Sequence, residues 1–315
     1  MRGEPQGSTS GGSVKGRRSF LAAVFVSPYE PRLRAGWRLI LQVVLQFILL
    51  MLAGAAILIG VRGIFTGAPG SFTSAQLVVT QIAELAAVTL SIFVARRLLD
   101  HRSFASLGLQ VGRRSTLDFA SGIGITFLMM GLIFATEWML GWLKLTGFAW
   151  QVQSADKVGL NVVVFLVVCL LVGWNEELMS RGYHLQTLAS GLTLGWGWIL
   201  SSTAFGVLHL ANPHANWMAV AGIVLAGLFL GYAYVRTGRL WLSIGLHTGW
   251  NFFEGVVFGF PVSGIAFYHL ARISVSGPEL WTGGEFGPEA GLLLIPALAL
   301  GFGLVSWYTR QTRDA

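Results

Sequence analysis

Apolar runs of about 20 residues recur along most of this chain, and that is the tightest constraint on its fold. A helix needs about 20 mostly apolar residues to cross a bilayer core about 30 Å thick. Eight candidate spans can be read, at 37–61, 75–97, 117–143, 160–188, 194–211, 217–236, 240–260 and 288–308. The second carries Gln81 and Glu84, and the third carries Glu137 near its end. Composition agrees: 54% of the 315 residues are hydrophobic and 11% are charged, against about 25% charged in a soluble domain. Too little polar surface exists to cover a water-soluble body of this size. The expected fold class is therefore all-α, a polytopic membrane helical bundle with about eight transmembrane helices.

The ends and joints of the chain are read in the same way. Residues 1–36 are polar, with a Gly/Ser cluster from Ser8 to Ser13, and are expected to form a flexible cytosolic N-terminal tail rather than a signal peptide. Residues 37–310 read as a single transmembrane bundle, with no internal repeat and no second soluble domain. The single cysteine, Cys169, sits in an apolar run. It rules out an internal disulfide and any Cys-based zinc site, and reads as a small core residue.

The net charge is +7, which in a soluble protein would suggest nucleic acid. Here the basic residues fall mostly at span ends, so they report topology, and no nucleic-acid partner is expected. With the N-terminus inside, the inside segments hold seventeen of the 21 basic residues, Arg181 among them. The outside segments hold Arg62, Lys144, Lys157 and Arg272. This follows the positive-inside rule and puts both termini in the cytoplasm.

Charges inside a span cost roughly 2.5–3.5 kcal/mol on insertion scales and often carry function. Three polar clusters stand out. The first is Asn175-Glu176-Glu177-Leu178-Met179-Ser180-Arg181-Gly182. Adjacent helical residues point about 100° apart, so the two carboxylates are not expected to aim at one point. Glu177 and Arg181, at i and i+4, are expected to pair, which leaves Glu176 facing the bundle interior. The second is Phe205…His209, closed by Pro213. The third is His247…Asn251, again at i and i+4 on one face. Each cluster alone also fits a structural role, as a solvated helix end or an interhelical hydrogen bond.

Depth is what joins them. Glu176 and His209 lie symmetrically about a turn at Leu192–Thr193, each about 16 residues, or roughly 20 Å, from it. Counted from Thr237-Gly238, His247 and Asn251 lie roughly 14 and 20 Å deep. The clusters can share one layer, with Glu176 at the base of a cavity expected to open to the cytoplasm.

With these residues in place, the chain resembles the CPBP family of membrane proteins. That family includes the type II CAAX prenyl endopeptidases and bacterial relatives once called abortive-infection proteins. Its motifs EExxxR, FxxxH and HxxxN stand here as Glu176-Glu177…Arg181, Phe205…His209 and His247…Asn251. The resemblance covers about 155–260 and includes Gly182 and Arg236-Thr237-Gly238-Arg239-Leu240-Trp241. Met179-Ser180 departs from it, since bulky apolar residues usually precede the arginine.

The resemblance implies an intramembrane endopeptidase in which Glu176 and His209 activate water and His247 and Asn251 stabilise an oxyanion. Glu177 and Arg181 would support them. The implied partners are a membrane-associated protein or peptide substrate and the lipid bilayer, in a bacterial cell membrane. Glu176, His209 and His247 also form a His₂Glu set of the kind that binds zinc. The reading without metal is preferred, because Asn251 suits an oxyanion hole. Two alternatives stand beside it: a non-catalytic scaffold or immunity protein of the same fold, and a proton-coupled transporter using Glu84, Glu137, Glu176 and Glu254.

Overall fold

The computed structural model describes residues 24–28, 30–60 and 74–312. Most of the expected tail, residues 1–23, lies outside them, as does the first outside segment with Arg62. The fold is an all-α helical bundle. Its long helices are α1 (Ala35–Gly60), α2 (Ser74–Val94), α3 (Arg113–Met139), α4 (Ala155–Glu177), α5 (Leu194–Leu208), α6 (Trp217–Thr237), α7 (Leu240–Asn251) and α8 (Leu294–Gln311). Past Glu177, α4 continues through a wide π-helical turn, Leu178–Leu185, into Gln186–Gly191. A second π-helical turn, Phe252–Val257, follows Asn251 at the end of α7.

Among the described residues, six helical segments are long and apolar enough to cross a membrane: 35–59, 75–99, 113–139, 155–191, 194–211 and 217–237. The two remaining spans expected from the sequence are also helical, but differ in kind. In α7 every residue except Trp241 is buried, so it forms the centre of the bundle rather than a lipid-facing wall. The last expected span, 288–308, begins as a helix only at Leu294. Pro288–Ala290 form a separate 3₁₀ turn, because Gly287-Pro288 and Gly291 punctuate the chain there.

One further boundary moved. The third span ends at Met139, and the chain leaves through Gly141 (φ 73°) into β1 (Leu143–Phe148). This strand pairs antiparallel with β2 (Ala271–Val275), with an irregularity between Leu145 and Gly147. A two-stranded ribbon therefore caps one end of the bundle, and the sequence reading had not foreseen it.

Small residues let α7 sit at the centre. A Cβ on Gly245 would lie 2.2 Å from the Phe119 carbonyl oxygen of α3. One on Gly249 would lie 2.2 Å from Thr126 Oγ1. This small-xxx-small stripe brings the two backbones together as transmembrane packing requires. The core around it includes Met129, Met130, Ile133, Leu242 and Leu246. At the rim, α1 exposes Phe47, Leu52, Leu58 and Ile59, the surface of a helix facing lipid.

The bundle has two distinct ends. At one end Arg38 reaches Asp100 and Ser190, the Leu240 N–H donates to the Gly108 carbonyl, and Trp241 donates to the Gln110 carbonyl. At the other end lie the β-ribbon and the segments 209–216 and 258–293, joined by Asn212 Nδ2 donating to Ser263 O (3.0 Å) and by the Gly264 N–H donating to Phe286 O (2.8 Å). Exposed tryptophans ring both ends: Trp37, Trp196 and Trp307 at the first, Trp138, Trp150, Trp217 and Trp281 at the second. Two such belts are what the two interfaces of a bilayer select.

Candidate active site

The three polar clusters meet. The turn at Leu192–Thr193 falls where the sequence placed it, with Thr193 capping α5 through its side chain. It returns α5 alongside α4 at matching depth. His209 Nε2 lies 3.9 Å from Glu176 Oε2, and His247 Nε2 lies 3.7 Å from the same oxygen. Asn251, one turn beyond His247 and 5% exposed, lines the same cavity. That cavity has a volume of about 320 Å³.

Hydrogen bonds fix the imidazole orientations. His209 Nδ1 is 2.7 Å from the Phe205 carbonyl oxygen. A carbonyl only accepts, so Nδ1 carries the proton and the neutral ring turns its Nε2 lone pair toward Glu176. His247 Nδ1 lies 2.9 Å from Glu177 Oε1, so it likewise donates from Nδ1 and presents Nε2 to Glu176. The π-helical turn begins immediately after this pair of glutamates. Such turns recur at functional sites because they re-aim side chains.

Glu177 and Arg181 pair at 2.6 Å, both almost wholly buried. Arg181 also donates to the Gly227 carbonyl (3.0 Å) and sits 4.4 Å above the Phe205 ring. Phe205 in turn packs against His209 and His247. The phenylalanine and arginine of the motifs thus form one support under both histidines. The two adjacent carboxylates aim at different points, as expected: Glu177 pairs with Arg181 and meets His247 Nδ1, while Glu176 faces the opposite edge of that ring. The support from Glu177 goes to His247.

The departure at Met179-Ser180 is accommodated without loss of the site: Met179 lines the cavity and Ser180 is buried. Among the acids read as a relay, Glu84 lines the cavity, while Glu137 and Glu254 are buried outside its lining.

Sequence reasoning missed Glu289. Its carboxylate is 5% exposed and lines the cavity. It accepts from Trp250 Nε1 at 3.1 Å and from both the backbone N–H (2.7 Å) and the hydroxyl (2.6 Å) of Ser263. It therefore ties α7, next to Asn251, to the turn that forms part of the cavity rim. Reading 288–308 as one apolar span hid this residue. The Gly287-Pro288 dipeptide is the turn signal that would have exposed it. Gln81 was also passed over. It donates to Glu84 Oε2 (3.0 Å) and accepts from Asn175 Nδ2 (3.3 Å), which makes a polar strip on the cavity wall.

The donor set was tested against a zinc ion. Tetrahedral ligands at Zn bonds of about 2.0–2.1 Å stand about 3.3 Å apart. The Glu176–histidine separations are wider, and among the described residues no group of three His, Cys, Asp or Glu is placed to hold a metal ion. The same separations are too long for direct hydrogen bonds and short enough for one water to touch both partners.

With this geometry in place, the comparisons are specific. The model of the family described as type II CAAX prenyl endopeptidase Rce1-like matches residues 158–253. Over that stretch the helical core is similar to the Rce1-like family. The matched stretch runs from early α4 to just past Asn251 and holds every motif residue named above, in keeping with the CPBP resemblance. Among curated proteins, the chain is similar to the uncharacterized protein YyaK of Bacillus subtilis (strain 168), 31% identical over 151 residues. That alignment covers 44% of this chain and 45% of YyaK, so the chain spans about half the length of the relative it matches. No solved structure matches. The set of long apolar helices describes a multi-pass membrane protein, and its 158–253 stretch is similar to the Rce1-like family.

Proposed function

We propose that this chain is an intramembrane endopeptidase that hydrolyses a peptide bond of a membrane-associated protein or peptide with a water activated by Glu176 and His209. One observation carries the reading. Glu176 Oε2 is buried with no hydrogen-bond partner among the described residues, and it faces two imidazole nitrogens that the hydrogen bonds on their far edges have left unprotonated in the neutral rings.

In this reading a water bridges Glu176 and His209. As its oxygen attacks the substrate carbonyl carbon, its proton passes to Glu176, with His209 Nε2 accepting the remaining hydrogen bond. The tetrahedral intermediate carries its negative charge on the former carbonyl oxygen. Asn251 Nδ2 donates to that oxyanion, and so does His247 Nε2 when the ring is protonated at both nitrogens. Glu177, on His247 Nδ1, holds the ring in place and balances the charge of the imidazolium. Arg181 keeps Glu177 oriented. Collapse breaks the C–N bond, the proton held by Glu176 moves to the leaving nitrogen, and the remaining proton of the attacking water passes from the new carboxyl group to His209 Nε2, giving an amine and a carboxylate. No step is routed through a metal.

The experiment uses the full-length protein purified in detergent or lipid, with a quenched membrane-peptide library and elemental analysis of the same sample. Hydrolysis that is lost in Glu176→Gln and His209→Ala, in samples with less than stoichiometric zinc, supports the reading. Stoichiometric zinc, with activity lost on its removal and restored on its return, overturns the metal-free step.

A further inference from the structure

The position of the cavity within the bundle bears on where its substrate comes from. The cavity lining includes Asn212, Val262, Ser263, Ile265 and Phe267. All belong to connections at the end that carries the β-ribbon. The opposite end holds the short turns at 192–193 and at Gly238, the 100–112 connection and the starts of α1 and α3. The basic residues divide sharply between these ends. Arg181 is removed from the count, because it is 1% exposed in the interior and reports no side. Among the described residues, the ribbon end has only Lys144, Lys157 and Arg272. The eleven other described basic residues lie in segments at the other end. At the ribbon end Asp156, Glu279 and Glu285 offset even those few cations.

Positive charge near span ends stays in the cytoplasm, so the arginine-rich end is the cytoplasmic one. The ribbon end, and the cavity rim with it, then face the other way. The Leu192–Thr193 turn being cytoplasmic does not fit a cavity opening to the cytoplasm, because His209, about 16 residues from that turn, stands at the end of α5 that leads into the 209–216 connection at the ribbon end. Counted from the turn, that is the roughly 20 Å given by helical rise, about two thirds of a membrane core.

From this we infer that the cavity opens to the extracytoplasmic side and takes a juxtamembrane segment of a membrane-anchored protein exposed on that side. The substrate part rests on the hydrolase reading above; the sidedness does not. The rim matches such a segment. Leu208, Ile265 and Phe267 offer apolar contact to chain leaving the bilayer. The polar strip of Gln81 and Glu84 lies along the wall toward Glu176.

The test replaces buried Cys169 with Ala in the full-length protein and places single cysteines at three positions. Ser274→Cys is on the exposed ribbon, Ile265→Cys is on the rim, and Ala105→Cys is exposed at the arginine-rich end. A membrane-impermeant maleimide added to intact cells should label the first two and leave Ala105→Cys unlabelled until the membrane is permeabilised. The reverse pattern, or labelling of both ends in intact cells, overturns the inference. In the same cells, a single-pass reporter carries its cleavable stretch on one side of the membrane or the other. Glu176-dependent cutting of the extracytoplasmic version alone is expected. Cutting of the cytoplasmic version overturns the inference. The expected labelling with neither reporter cut leaves the sidedness standing and removes the hydrolase reading.

Discussion

Two buried polar clusters lie at opposite ends of this bundle, and they differ in one respect. At the arginine-rich end Asp100 accepts from Arg32, Arg38 and Arg96, and Arg38 and Arg96 also donate to Ser190, Ser106 and Gln186. Both oxygens of the acid are used. At the cavity end Glu177 Oε1 takes both Arg181 and His247, while Glu176 Oε2, facing the cavity, has no hydrogen-bond partner among the described residues. A buried polar group left unpaired carries a desolvation penalty, and a fold tolerates one where it serves another purpose. The first cluster fastens α1, α2 and the loop after α2 together. The second holds one carboxylate open before two histidines.

The sharpest way to break this contrast is to remove the open carboxylate. Glu176→Gln preserves shape and takes away the base. Hydrolysis should fall by about 10²–10⁴-fold, the range of general-base catalysis, while thermal unfolding in detergent stays within about 0.5 kcal/mol of wild type. A fall in stability as large as the fall in activity would place Glu176 with the structural acids. Glu177→Gln should behave oppositely. It leaves a buried guanidinium short of its counter-charge and frees His247, so stability should drop by about 3–5 kcal/mol, with activity lost as well. Unfolding followed by tryptophan fluorescence or calorimetry reads this.

Asp100→Asn tests the other end. The three arginines lose their shared charge, and about 1.5–3 kcal/mol should go with it, whereas turnover per folded molecule should be unchanged. Reduced turnover at full occupancy of the folded state would couple the two ends and weaken the contrast. The smallest effect is expected from Glu289→Gln. Its amide can accept from Trp250 or from Ser263 but cannot serve all three donors, so about 1–1.5 kcal/mol of hydrogen bonding is lost at the rim. Faster deuterium exchange at the Ser263 amide and a KM raised about tenfold, with kcat nearly kept, would mark Glu289 as a positioning residue. A fall in kcat alone would put it closer to the chemistry.

Much of this was legible from residue order. Spans announce themselves because a bilayer demands about 20 apolar residues at a stretch. The meeting of Glu176 with His209 followed from counting equal distances to either side of the Leu192–Thr193 turn, since rise per residue is fixed in a helix. Harder to read were the places where regular helix gives way. The π-helical turns after Glu177 and Asn251, the ribbon between β1 and β2, and the Pro288–Ala290 turn all break the periodicity on which counting depends. Glu289 was lost in the last of these. Arg181 was counted as a loop charge because a sequence cannot show that its guanidinium is consumed by Glu177, the Gly227 carbonyl and the Phe205 ring.

The sequence by itself determined that this chain is a bundle of membrane-spanning helices, that three polar clusters share one depth within it, and which end bears the positive charge. Those are one-dimensional properties, set by hydropathy, helical rise and charge count. Only the tertiary structure decided which edge of each imidazole faces Glu176, that Glu177 serves His247, and that Glu289 ties Trp250 to Ser263 in the cavity lining. These depend on the rotation and tilt of helices that are distant in sequence, and close packing around α7 fixes those quantities where no local pattern does.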